Sequence, residues 1–245
     1  MRGYPGDRPA ARRPNALLAY RLRMPAIIFD YDGLMIDSER VLAEAVVEVV
    51  TGRGGRLALD DIAHLFGTTE SDAEWERLVP GWCDPPLTFG ELEELVTPTV
   101  WTHVAQLPLL PGVRELITSA KAADWRIGLA TGHDRDRLER RLARLEVLDA
   151  FDAVVTAVEV PRGKPAPDIF LAVADRLGVP PTDCVVVEDS PPGCEAALAA
   201  GMAAVVCASV VTRNLEFPAA VRRVGSLLDV TVDDLSSHIA RGPNA

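Results

Sequence analysis

The sequence predicts a doubly wound α/β fold: a parallel sheet wrapped by helices, with a second block of helices inserted early in the chain. Three observations predict it. Short apolar runs recur and end in polar residues, and helical patterns separate them. One interval, about 95 residues long, is too long for a single strand crossover.

The first run, AIIFD at 26–30, ends in an acid. RIGLAT ends at Thr131, AVVTA near Ala157 and CVVVED at Asp189. AAVVCAS at 203–209 ends in small and polar residues. Continuous apolar runs suit strands buried on both faces, the condition of a parallel sheet. Helical patterns at 112–123, 134–146, 167–177 and 192–200 supply the crossovers. Ligands of such sheets bind beyond the carboxyl ends of the strands, at a topological switch point. Asp30, Thr131 and Glu188-Asp189 fall there.

The long interval follows Asp30. Asp37 or Ser38 is the expected N-cap of a helix running to about Val50. Further helices are expected at 59–66, 70–78 and 88–106, the last bent at Pro98. Pro108 and Pro111-Gly112 mark the return. The expected division is a core of 24–35 and 109–245, and a helical cap over 36–108.

Composition bounds the function. The 245 residues, 48% of them hydrophobic, support one sizeable domain carrying a smaller one. No apolar run approaches the roughly 20 residues that cross a bilayer, and arginines and prolines interrupt the N-terminus before a signal peptide's apolar core develops. Cys83, Cys184, Cys194 and Cys207 show no C-x-x-C pairing and read as reduced structural thiols. A soluble cytoplasmic protein is expected. The net charge of −11 argues against a nucleic-acid surface. Residues 1–23 hold six arginines and one acid, leaving −16 for the rest. Rich in Pro and Gly and aperiodic, they read as a disordered basic arm or an overlong start, with Met24 a plausible alternative start. A basic functional arm or transit peptide is the other reading. For an anionic substrate, attraction must come from local groups and a bound cation.

The segment FDYDGLMIDSE at 29–39 carries the strongest chemical signal. Two acids at i and i+2 follow a buried strand, and Gly33 lets the backbone fold away from them. Two close carboxylates repel unless a cation or proton intervenes, and Mg²⁺ prefers oxygen ligands and binds phosphate. Glu188-Asp189 fits either a helix N-terminus favoured by the macrodipole or the completion of a metal site with Asp30. Thr131-Gly132 offers a hydroxyl and backbone N–H groups to an anion, or is an ordinary strand-to-helix turn. Lys164 lies in RGKPAPD, where Pro165 and Pro167 stiffen a helix start.

FDYDGLMIDSE, LATG (129–132), GKPAPDIF (163–170) and VVEDSPPGCEAALAAG (186–201) resemble the four motifs of the haloacid-dehalogenase-like (HAD) hydrolase superfamily, closest to its β-phosphoglucomutase-like phosphatase branch. The resemblance covers about 24–210 in the right order. It implies a Rossmann-like core with an inserted helical cap. It also implies a magnesium-dependent phosphatase working through an aspartyl-phosphate on Asp30. Asp32 would be the acid and base, its backbone carbonyl also ligating Mg²⁺. Asp189 would be a carboxylate ligand and Glu188 a direct or indirect one. Thr131, Gly132 and Lys164 would bind the phosphoryl group. One departure stands out. The family's second motif usually carries a small residue or asparagine after the hydroxyl, and here the run is Thr131-Gly132-His133, so His133 or backbone replaces a side-chain contact. His133 itself reads as a residue at a helix start. Asp32 favours phosphate over carbon–halogen chemistry, because true dehalogenases lack an acid at that place.

The expected substrate is a small phosphorylated metabolite, phosphosugar-like, with no nucleic-acid or membrane partner and an oligomeric state the sequence leaves open. A phosphosugar mutase of the β-phosphoglucomutase type is the alternative, and a non-catalytic binding module the third reading. Mutases need cap cations for a second phosphate, whereas 36–108 contains no lysine and only Arg40, Arg53, Arg56 and Arg77. Trp75, Trp82, Trp101 and His103 are specificity candidates by location, with cap core the simpler reading of the aromatics.

Overall fold

The computed structural model describes residues 24–67 and 72–242. The expected arm over 1–23 lies outside them. The sheet has six parallel strands: β1 (Ala26–Phe29), β2 (Arg126–Thr131), β3 (Ala153–Thr156), β4 (Cys184–Glu188), β5 (Ala203–Val206) and β6 (Arg222–Arg223). Their order is β3-β2-β1-β4-β5-β6. The chain winds one way from β1 and then the other, so the switch point lies between β1 and β4.

Alternation along β1 builds both halves of the core. Ile27 and Phe29 join one apolar cluster, Ala26 and Ile28 the other. Helices α5 (Val113–Ala122), α6 (Arg135–Arg144), α7 (Asp168–Leu177), α8 (Pro191–Ala199) and α9 (Val232–Arg241) cover the faces. α5 buries Val113, Leu116, Ile117 and Ala120, and α7 buries Ile169, Phe170, Val173 and Ala174, each a stripe at helical spacing.

The insert consists of α1 (Ser38–Gly52), α2 (Leu59–Ile62), α3 (Asp72–Leu78) and α4 (Phe89–Val104). The chain leaves and re-enters the core side by side, with Leu110 N–H donating to the Met35 carbonyl at 2.8 Å. α4 starts with a capping box: Glu91 N–H donates to Thr88 Oγ1 at 3.2 Å, and Thr88 N–H to Glu91 Oε2 at 2.8 Å.

Some details differ from the sequence reading. Asp37 occupies the N-cap of α1 but makes no cap hydrogen bond; its carboxylate takes Arg40 Nε at 2.5 Å instead. The helix expected at 59–66 is one α-turn followed by a 3₁₀ turn at Ala63–Leu65. α4 runs through Pro98 as one element, with Thr102 Oγ1 donating to the Pro98 carbonyl at 2.8 Å. β4 ends at Glu188 rather than Asp189. β6 was not anticipated, because a two-residue edge strand reading Arg-Arg carries no apolar run. All four cysteines are free. Among the described residues no helix is long and apolar enough to cross a membrane.

Candidate active site

Asp30 follows β1 directly, and its N–H donates to the Val187 carbonyl of β4 at 3.0 Å. The ladder thus fixes where the carboxylate emerges, beside the end of β4 where Glu188 sits. Lys164, contributed by the loop before α7, donates its Nζ to Asp30 Oδ1 and to Glu188 Oε1, the latter at 2.5 Å. The other Glu188 oxygen accepts from Asp189 N–H at 2.9 Å, Ser190 N–H at 3.0 Å and Ser190 Oγ at 2.9 Å. Glu188 is fully buried and both its oxygens are engaged. It anchors Lys164 and shapes the β4–α8 turn. Gly193 makes room for it, since a Cβ there would overlap the Glu188 carboxylate.

Asp32 Oδ1 accepts from Ser38 Oγ at 2.5 Å and lies 2.9 Å from His133 Nε2. The Arg141 guanidinium lies 3.4 Å from the same nitrogen. Burial pushes the Asp32 carboxyl up, but His133, Ser38 and Arg141 together hold it below the usual range. Asp32 in turn raises His133 against the effect of burial. Each group thus favours the charged form of the other. Trp101 of α4 stands edge-on to His133, and the Arg137 and Arg141 guanidiniums each lie 5.0 Å from the centre of its ring.

Asp30 and Asp189 are both nine-tenths or more buried. Burial, with Glu188 and Asp32 adding and Lys164 opposing, pushes Asp30 up to about 8. Asp189 is raised by burial and then by Glu188 and Asp30, and Glu39 by burial and then by Asp189 and Asp32. Asp189 Oδ2 and Glu39 Oε2 are buried with no donor other than a proton shared between the two carboxyls. Orphaned acceptors among crowded acids are what a hard divalent cation relieves. Gly33, at φ +74°, opens that space: a Cβ would overlap Asp189 Oδ2 and come within 2.8 Å of Glu39 Oε2. Among the described residues no three His, Cys, Asp or Glu side chains form a ready-made cage. A magnesium site of two carboxylates completed by a carbonyl, water and phosphate oxygens needs none. The residues present therefore fit the ion.

A cavity of about 380 Å³ opens onto these groups. Asp30, Asp32, Lys164, Asp189 and Gly132 line it. Thr131 does not: it is fully buried, and its Oγ1 accepts from His133 N–H at 3.1 Å. Of the aromatic candidates, Trp75 and Trp101 line the cavity, while Trp82 packs on Trp75 behind it, and His103 is not among the lining residues. Sequence reasoning missed Ser38, Glu39, Arg141 and the contact made by His133. Ser38 and Glu39 lay inside the quoted first motif, and their buried place on an acid-rich helix start was the available signal.

The family model for haloacid dehalogenase-like hydrolases matches residues 24–201. Hexitol phosphatase B of Escherichia coli (strain K12) is 34% identical over 215 residues, covering 86% of this chain and 96% of that protein. Beta-phosphoglucomutase of Bacillus subtilis is 31% identical over 189 residues, covering 74% and 82%. The crystal structure of CbbY from Rhodobacter sphaeroides in complex with phosphate superposes with a TM-score of 0.69 at 29% identity, covering 86% of this chain and 99% of that one. The chain belongs to the haloacid dehalogenase-like hydrolases. Within them it falls on the β-phosphoglucomutase-like phosphatase branch, and its class is that of phosphoric monoester hydrolases.

Proposed function

We propose that this protein hydrolyses a single-phosphate ester of a small metabolite through a phospho-Asp30 intermediate, with phosphosugars, the class named by its relatives, the first to assay. One observation carries the reading: Asp30, held by Lys164 at the end of β1, shares one cavity with Asp32, held by Ser38 and His133.

Asp30 attacks phosphorus, and the bond to the leaving oxygen breaks. A proton from the Asp32–His133 pair goes to that oxygen. Water then attacks the acyl phosphate, surrendering a proton to Asp32; inorganic phosphate leaves and Asp30 is restored. Lys164 neutralises the transferring phosphoryl oxygens, and Gly132 gives them an approach without a side chain. Thr131 acts on the phosphoryl site indirectly in this reading, its hydroxyl oxygen ordering the His133 backbone N–H. Asp30, the Asp32 backbone carbonyl and Asp189 would hold Mg²⁺, with Glu39 beside them. When bound, the ion supplies positive charge to the phosphoryl group. The cap spans 36–108 in this reading, and the unpaired thiols suit the cytoplasm.

The mutase alternative draws on the beta-phosphoglucomutase relative. The cap arginines argue against it: none of the four lines the cavity, Arg40 is held by Asp37 and Glu44, and Arg77 by Glu74. A coupled assay decides. With Mg²⁺, phosphate should appear from monoesters, and no glucose 6-phosphate should form from β-glucose 1-phosphate even with a bisphosphate primer. Glucose 6-phosphate forming faster than phosphate would promote the mutase.

A further inference from the structure

The cavity above Asp30 changes character along its length. Its floor is polar, but its upper walls are helix faces. Leu42 and Val46 line it from α1, and Leu92, Val96, Val100 and Val104 from α4, every fourth residue. That spacing lays one apolar stripe along the helix. Phe66, Trp75 and Phe89 line the cap portion too, Trp75 stacked on Phe89 with ring centroids 6.0 Å apart. Among the described residues, the polar side chains reaching this portion are Asp72, Glu93, Thr97 and the Trp101 indole. Two of these are acids. No lysine or arginine among the cap's described residues lines the cavity.

We propose that this cavity selects monophosphates whose leaving group presents carbon, an alkyl chain or an aromatic ring, over hexose phosphates and bisphosphates. The inference rests on the phosphatase reading and moves its substrate away from the hexose phosphates that the relatives' names suggest. A hexose carries a hydroxyl on most carbons, and each one buried against valine and leucine without a partner is penalised. A second phosphate would meet Asp72 and Glu93 with no cation to balance it. An alkyl or aryl body gains from being removed from water against the same walls. The apolar stripe and the reactive carboxylates line the same cavity, so a leaving group on phosphorus at Asp30 can extend along that stripe.

The test is kcat/KM, by phosphate release with Mg²⁺, for n-alkyl phosphates from ethyl to hexyl, phenyl phosphate, glucose 6-phosphate, fructose 1-phosphate and fructose 1,6-bisphosphate. Each added methylene is expected to raise kcat/KM about threefold. Phenyl phosphate should exceed glucose 6-phosphate about tenfold or more. Val96→Thr, which keeps the side-chain shape and adds a hydroxyl, should flatten the chain-length slope. The unmutated protein decides the matter even if that variant is unstable. Hexose phosphates turned over as fast as hexyl or phenyl phosphate would overturn the inference and leave the phosphatase standing. No phosphate from any ester would overturn both.

Discussion

The floor of the cavity and its cap walls are built by different rules. At the floor, each group sits just past a strand end or in a short loop, and hydrogen bonds to named partners fix its place. Asp30 is tied to β4 through its backbone and to Lys164 through its side chain. At the cap, apolar helix faces supply most of the wall through dispersion. The floor therefore tolerates little change, while the cap tolerates substitutions of similar volume at small cost. Chemistry and selectivity are separable in this molecule, and the following experiments pull them apart, from the largest expected effect downward.

Asp30→Asn removes the nucleophile and should lower kcat by about 10⁴ or more while the melting temperature stays within a few degrees. Retention of a tenth of the activity would show that another group attacks phosphorus. Chelation with EDTA should lower turnover by about 10³, with Mg²⁺ restoring it and Ca²⁺, which takes more ligands at longer distance, failing to. Full activity in EDTA would contradict the orphaned Asp189 and Glu39 oxygens as a cation site. Lys164→Ala should cost about 10² in kcat. It should also destabilise by about 3–5 kcal/mol, because Asp30 and Glu188 are left buried without their shared cation; chemical denaturation measures the second effect, and an unchanged midpoint would refute it. His133→Asn keeps a polar side chain but loses the imidazole ring nitrogen 2.9 Å from Asp32. We expect kcat down about tenfold with KM little changed, as for other residues that orient a reacting group; a loss confined to KM would instead make His133 a substrate contact. At the bottom of the scale, Arg77→Ala breaks an exposed cap ion pair with Glu74 and should change stability by under about 0.5 kcal/mol and kcat not at all. A large kcat loss there would show that the cap's cations reach the chemistry after all.

The strand ends were legible because the evidence for them is local. A buried run such as AIIF followed by Asp-x-Asp-Gly is a statement about five to eight neighbouring residues, and the parallel sheet aligns such ends by its register. The same holds for Lys164 ahead of its helix. The N-cap of α1 was legible for a local reason too: Asp37 occupies it as expected, its carboxylate bonded to Arg40 rather than to the helix backbone. Elements without an apolar run left no trace, as with β6.

By itself, the sequence determined the α/β architecture, the four segments that meet at the switch point and the place of the helical insert, since periodicity and chain connectivity leave few alternatives. Only the tertiary structure decided which carboxylates are shared and which stand orphaned. Lys164 is 134 positions from Asp30 and 24 from Glu188, and no spacing rule reveals that one ammonium serves both. His133 finds Asp32 across 101 positions. Helical periodicity marks Val96 and Val100 as one face of α4, yet the pattern is the same whether that face meets another helix or a substrate. The difference lies in how α1 and α4 sit over the strand ends, a long-range geometry that local sequence does not encode.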